Sequence, residues 1–346
     1  MKPLQWGLLA SGNIAKAFAA GLKQTDTGKL LAVGSRTQEK ADAFAKEFGI
    51  PKAHGSFEAL LADAEVEAVY ISTPHPMHAE WAIKAAKAGK HILCEKPAAL
   101  NHTDTAKMIR AAQRHDVFFM EAFMYRCNPQ TARVVDLIRN GAVGKVRQIV
   151  AAFGFCAGYN PESRLFNPAL GGGGILDVGC YAVSMSRLIA GAALGRTAAA
   201  DPLEVQGAGH IGESHVDEWA AGLLRFEEDI VAHVSTGVRL TTDNTVGIYG
   251  SDGDLKVLSP WFCNGRNPGQ VKLLLTRSGK PTEEIVIDVP KGIYALEADT
   301  VAANIGRRQA PSPAMTWEDT LGNMKTLDRW RKAIGLRYPG ESDRKS

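Results

Sequence analysis

Hydrophobic and polar positions in the first third of the chain follow two alternating periods. Short apolar runs at 4–10, 30–35, 68–72, 91–94 and 117–120 have the length and composition of strands. Between them, segments 14–23, 38–48, 56–61, 79–88 and 103–114 carry helical spacing. In the first of these, Ile14, Phe18 and Leu22 recur every four residues, the stripe a sheet-packing helix requires. Alternation of this kind predicts a doubly wound parallel sheet with right-handed crossovers, a Rossmann domain over residues 1–122.

The pattern then changes. A helix is predicted over 129–140 and a strand over 145–156. The run Gly171-Gly172-Gly173-Gly174 leads into Ile175, Val178, Ala182, Met185 and Ile189, a 3-4-3-4 stripe that predicts a buried helix face. Beyond residue 200 strand-like stretches recur at 204–211, 219–226, 230–236, 245–249, 255–258, 271–275 and 284–289. Turn signals such as Ser251-Asp252-Gly253-Asp254 separate them, which predicts a large, mainly antiparallel sheet. Helical segments at 295–307 and 317–333 and a polar tail at 341–346 follow. The second domain is thus expected to be α+β over 123–346, with the C-terminal helix packing back near the first domain.

At 346 residues two domains are the expectation, and 45% hydrophobic with 22% charged residues is a soluble globular composition. A net charge of +3 argues against nucleic acid or an anionic membrane as partner. No apolar run approaches the ~18 residues of a membrane span. The first strand begins near Leu4, so no leader is expected and the cytoplasm is the expected compartment. Five scattered cysteines (Cys94, Cys127, Cys156, Cys180, Cys263) without a Cys-x-x-Cys read as reduced thiols. His75 and His78 lack partners at metal-site spacing, and no metal is expected.

Candidate chemistry sits at the strand ends. The first turn, Gly7-Leu8-Leu9-Ala10-Ser11-Gly12-Asn13-Ile14-Ala15, places the dinucleotide fingerprint at Ala10, Gly12 and Ala15, with alanine in place of its first glycine. Ser11, Gly12, Asn13 and Ile14 are the candidate pyrophosphate contacts, because a residue without Cβ lets the phosphates approach a helix N-terminus. The second strand ends in Ser35-Arg36, with Lys40 one turn on, where an NAD enzyme usually carries an acid. A carboxylate would repel a 2′-phosphate and a guanidinium would receive it, so the expected cofactor is NADP rather than NAD. Glu95-Lys96-Pro97 holds an ammonium at the carboxyl end of a strand, since proline keeps Lys96 out of a helix. Asp177 and Tyr181, four apart, are expected to project together.

With these residues the chain resembles the glucose-fructose oxidoreductase/inositol dehydrogenase (Gfo/Idh/MocA) family. It is most similar to the branch of trans-dihydrodiol dehydrogenases and NADP-dependent aldose (xylose-type) dehydrogenases. The landmarks are Gly7–Ala15, Ser35-Arg36, Ser72-Thr73-Pro74-His75, Glu95-Lys96-Pro97, Glu121-Ala122, Asn167–Gly173, Asp177-x-Gly179-x-Tyr181 and Tyr249-Gly250-Ser251-x-Gly253. The resemblance implies catalytic roles for Lys96 and Asp177, and for Tyr181 where many members have histidine. It also implies a cis Lys96-Pro97 bond and cofactor contacts from Thr73, Pro74, His75, His78 and Glu95, with Arg164 near the nicotinamide. An open-faced second sheet would form the interface of a homodimer or dimer of dimers. The N-terminal arm of the periplasmic relatives is not expected here, so a cofactor that exchanges is expected.

The expected reaction is reversible hydride transfer between nicotinamide C4 and a carbinol or hemiacetal carbon of a small sugar, polyol or cyclic diol. Tyr181 is the expected acid/base, its pKa lowered by the Lys96 ammonium, with Asp177 orienting the lysine or a sugar hydroxyl. The reverse assignment, Lys96 as direct acid/base, stays open. Met124, Tyr125, Phe155 and Trp261 are candidate pocket residues, each equally at home in core packing. Two rival functions share the residues: redox-assisted glycoside cleavage with a retained nucleotide, and a non-catalytic NADP-binding sensor. Substrate identity and direction are not legible.

Overall fold

A computed structural model describes residues 2–339, and the polar tail at 341–346 lies outside the described residues. The first sheet comprises β1 (Leu4–Leu9), β2 (Gly28–Gly34), β3 (Lys52–His54), β4 (Ala68–Ile71), β5 (His91–Glu95) and β6 (Phe119–Ala122). All pairs are parallel, in the order β3-β2-β1-β4-β5-β6. Strand order reverses beside β1, and in such sheets the crevice at that reversal takes the ligand. Helices α1 (Asn13–Leu22), α2 (Gln38–Phe48), α3 (Phe57–Ala62), α4 (His78–Lys87) and α5 (His102–Arg114) link the strands.

β3 was not expected. Its three residues lie between Gly49, which ends α2 at φ 70°, and Ser56, whose side chain caps α3. Too short and polar to show a period, they pair with Ala32–Gly34 at the sheet edge.

The second half begins with α6 (Pro129–Arg139) and β7 (Val146–Gly154). A π turn, Ile175–Gly179, then runs into α7 (Cys180–Ala193). The strands β8 (Glu204–Ile211), β9 (Asp217–Arg225), β10 (Val231–Gly237), β11 (Val246–Gly250), β12 (Gly253–Val257), β13 (Gly269–Arg277) and β14 (Glu283–Val289) complete an eight-stranded sheet. Its order is β14-β13-β12-β11-β7-β10-β9-β8, antiparallel except where β7 meets β10.

One expectation about the buried helix needs correction. Asp177 sits in the π turn, and it and Tyr181 both face Lys96 Nζ, at 3.7 Å from the carboxylate and 5.1 Å from the ring centroid. The helix, however, is buried on every side rather than along one stripe, from Ile175 through Ala192. Contrary to the sequence expectation, the stretch Pro168–Ala193 is long and apolar enough to cross a membrane, yet its most apolar window of 18 residues is entirely buried, as in a core helix.

One face of the second sheet packs under α7. On β9, Ala220, Gly222 and Leu224 point inward while Trp219 and Leu223 alternate outward, 39% and 47% exposed. The chain then returns to the first sheet. In α8 (Ile293–Asn304), Tyr294 packs so close to α1 that a side chain at Gly21 would lie 2.6 Å from its Cβ. In α9 (Trp317–Ala333), Asp328 accepts from the His102 amide at 2.9 Å, while Trp330 Nε1 donates to the Ala221 carbonyl at 3.2 Å. Trp317 Nε1 donates to the Phe119 carbonyl of β6 at 3.1 Å, so the last helix touches both sheets.

Candidate active site

A cleft of about 950 Å³ runs along the carboxyl ends of β1, β2, β4 and β5. Ser11, Gly12, Asn13 and Ile14 line its outer half with Ser35, Arg36 and Lys40. Gly12 is the N-cap of α1 at φ −82°, which any residue adopts, and a Cβ there would meet no protein atom within 4 Å. Neither strain nor packing demands glycine. The remaining demand is close approach from the cleft.

The helix start is also electrostatically open, with no side-chain cap and no acid in the first turn. Ser11 Oγ and Ser35 Oγ lie 3.2 Å apart. Arg36 and Lys40 are exposed at the rim, and among the described residues neither forms an ion pair. Glu47, the nearby acid on the cleft wall, is neutralised by Lys16 at 2.7 Å. Ala10, at the fingerprint's missing glycine, keeps a glycine-like φ of 90°.

Thr73, Pro74, His75, His78, Glu95 and Lys96 line the inner half. Thr73 Oγ1 and His75 Nδ1 are buried without a hydrogen-bond partner, so the cleft offers polar groups to a ligand. Burial drives His75 well below its ordinary pKa, leaving a neutral ring. His78 offers the cleft less, because its ring nitrogens face the Thr73 and Pro97 carbonyls at 2.7 and 2.9 Å.

The Lys96-Pro97 peptide is cis. Lys96 Nζ donates to the Asp177 carbonyl at 2.6 Å and lies 3.7 Å from its carboxylate. Arg164, reaching in from the loop after β7, holds the same carboxylate at 2.8 Å. Burial alone would raise the Asp177 carboxyl, but the Lys96 and Arg164 charges outweigh it and keep the group below its usual range. Glu95 accepts from the Tyr70 hydroxyl, and burial raises its carboxyl despite the Lys96 charge.

Tyr181 departs from expectation. Lys96 Nζ stands over its ring face, 5.1 Å from the centroid, while the hydroxyl meets Met124 Sδ at 3.3 Å. Burial, with the Glu95 charge next, raises the phenol well above its ordinary pKa, opposite to the expected lowering. Tyr181 also lies behind the cleft wall instead of lining it. The candidate pocket residues explain why. Tyr125 and Trp261 are buried against Tyr181 at 5.8 and 5.9 Å, with polar atoms bonded to Ser184 and the Ala152 carbonyl. Met124 completes that wall, and Phe155 packs beside Phe166. Met124, Tyr125 and Trp261 shape Tyr181's position and leave little surface for a substrate, whereas Phe155 is half-buried away from the ring.

Two family models match the chain: the oxidoreductase family with an NAD-binding Rossmann fold over residues 4–123, and the GFO/IDH/MocA C-terminal domain over 131–256. The chain belongs to the GFO/IDH/MocA oxidoreductase family. Mouse trans-1,2-dihydrobenzene-1,2-diol dehydrogenase is 30% identical, covering 97% of this chain and 98% of that protein. D-xylose 1-dehydrogenase (NADP(+)) 2 of Haloferax volcanii is 31% identical, covering 94% and 95%. KijD10, a 3-ketoreductase of Actinomadura kijaniata solved with NADP and TDP-benzene, superposes with a TM-score of 0.83 at 26% identity over 96% and 98% of the two chains. The protein is accordingly an NAD(P)-dependent oxidoreductase. Its open Gly12 turn, uncapped helix start and unpartnered Thr73 and His75 atoms fit the dinucleotide.

This oxidoreductase also places residues in the cleft that sequence reasoning passed over. Arg266 comes from the loop before β13, and its backbone carbonyl is held by Gln24 at 2.7 Å. Met77 joins the inner wall too, beside Ser72, which the sequence had offered only as a landmark. For Arg266 no local signal exists, since only the docking of α8 brings its loop to α1.

Proposed function

We propose that the enzyme is an NADP-dependent dehydrogenase or reductase acting at a carbinol or hemiacetal carbon of a small sugar, polyol or cyclic diol. Bound NADP supplies the hydride acceptor or donor. Gly12 and the α1 N-terminus would hold its pyrophosphate, Ser35, Arg36 and Lys40 its 2′-phosphate, and Thr73, His75 and Glu95 the inner half. The carrying observation is that the Lys96 amine, pinned by Asp177, stands in the same cleft as the open Gly12 turn. The substrate class is supported by the relatives' names, one a cyclic diol and the other a pentose.

Lys96 and Tyr181 form the acid/base pair. The amine is its cleft-facing member, which favours Lys96 as the group exchanging a proton with the substrate oxygen, Tyr181 supporting it through its ring face. Direct transfer by the phenol is the second reading, and it requires the hydroxyl to leave Met124. Lys96→Met should cost about 10²–10⁴-fold in turnover with NADP affinity kept, and Tyr181→Phe distinctly less. A larger loss in Tyr181→Phe would reverse the assignment; near-normal turnover in both would remove the pair from the mechanism.

Nicotinamide absorbance across pentoses, hexoses, anhydrosugars and cyclic diols tests the reaction itself. Sugar release without net NADPH formation would instead indicate glycoside cleavage with a retained nucleotide, and no turnover at all a sensor. The outward Trp219, Leu223, Tyr249 and Val286 support self-association through the second sheet, which sedimentation would measure.

A further inference from the structure

Among the buried carboxylates without an ion pair in the described residues, Glu121 and Asp217 each accept from an amide two positions from a residue of the site, Ala98 beside Lys96 and Ile175 beside Asp177. Glu121, at the end of β6, accepts from the Ala98 amide at 2.8 Å, and its other oxygen has no partner among the described residues. The carbonyl of that same peptide group, on Pro97, faces His78 Nδ1 at 2.9 Å. The peptide that follows Lys96-Pro97 is therefore gripped at both ends. Across the cleft Asp217, on β9, accepts from the Ile175 amide at 2.7 Å, opening the turn that carries Asp177. A side chain at Gly173 would collide with the other Asp217 oxygen, so the glycine run admits this carboxylate.

Burying an acid without a counter-charge is unfavourable, and burial pushes both groups up to about 7. Apolar side chains would fill the space at less cost. What they could not do is accept the Ala98 and Ile175 N–H groups.

We infer that Glu121 and Asp217 are positioning residues for the reaction: through the Ala98 and Ile175 amides they fix the two backbone segments whose meeting sets the Lys96–Asp177 contact. The assignment rests on the role proposed above for Lys96. Neither carboxylate touches the cleft.

Amine reactivity tests it without turnover. Brief acetylation of the folded protein, read by mass spectrometry, should label Lys96 about tenfold faster in Glu121→Met and Asp217→Leu, with Lys40 as an unchanged internal reference. Glu121→Gln and Asp217→Asn keep an acceptor and should restore the slow rate. Unchanged Lys96 labelling in folded Met and Leu variants would overturn the inference, as would Gln and Asn variants no slower than these. If the apolar variants do not fold, amide exchange in the unaltered protein decides: slow exchange at Ala98 and Ile175 supports the inference, fast exchange at either refutes it. Turnover of NADP with D-xylose in Lys96→Met separates the two levels. Full activity there defeats the acid/base role proposed for Lys96, on which the inference rests, whereas normal labelling beside an inactive Lys96→Met defeats only the positioning role.

Discussion

Replacing Gly12 with alanine isolates nucleotide binding from folding. The added Cβ meets no protein atom within 4 Å, and φ −82° suits alanine. The folding cost is then confined to the helix cap, where alanine is worse than glycine by roughly 0.5–1 kcal/mol. On the cleft side the same methyl occupies space a pyrophosphate would approach. Forcing a methyl into a close contact typically costs about 1–3 kcal/mol, a 5- to 150-fold loss of NADPH affinity. Thermal unfolding without nucleotide gives the first quantity, and NADPH fluorescence titration the second. Affinity within twofold of the parent would show that no phosphate approaches this turn. A collapse in stability would show that packing, not a ligand, requires the glycine.

Arg36→Asp should reverse the cofactor preference, losing a charge-assisted contact of about 1.5–3 kcal/mol to the 2′-phosphate and adding repulsion. Equal weakening of NADP and NAD in paired titrations would refute that role. Ala10→Gly should stabilise the fold by about 1 kcal/mol, since alanine is strained at φ 90°, and an unchanged denaturation midpoint would show there is no strain to relieve. Glu121 is raised from an ordinary 4.5 to about 7, so its contribution to stability is complete below pH ~4.5 and is lost as pH rises through about 7. The difference is on the order of 3 kcal/mol, and the stability of Glu121→Gln should decline correspondingly less between pH 5 and 8. Parallel pH profiles in chemical denaturation would refute it.

Much of this site was legible because its groups stand at strand ends, where local chemistry and position coincide. Gly12, Arg36 and Lys96 each lie at or just beyond the end of β1, β2 or β5, so the alternation that predicts the sheet also predicts where they point. The family resemblance supplied what spacing could not, notably Arg164. The direction of the Tyr181 hydroxyl was not legible. It depends on Met124, 57 residues away, and on a π turn that an apolar stripe cannot distinguish from an α turn. Glu121 appeared as a landmark without a task, because the amide it receives is brought to it by the pairing of β5 with β6. Asp217 showed no signal at all.

The helix that touches both sheets bears on how the chain is made. During synthesis the strands from Leu4 to Ala122 leave the ribosome long before Trp317–Ala333 exists. Until then the His102 amide lacks Asp328, and the Phe119 carbonyl lacks the Trp317 indole that donates to it at 3.1 Å. The nascent nucleotide sheet thus waits, one seam unclosed, for the same segment that clasps β9. A chain halted before residue 317 therefore holds the first sheet without these two contacts, although Asp177 and Tyr294 already join it to the second half.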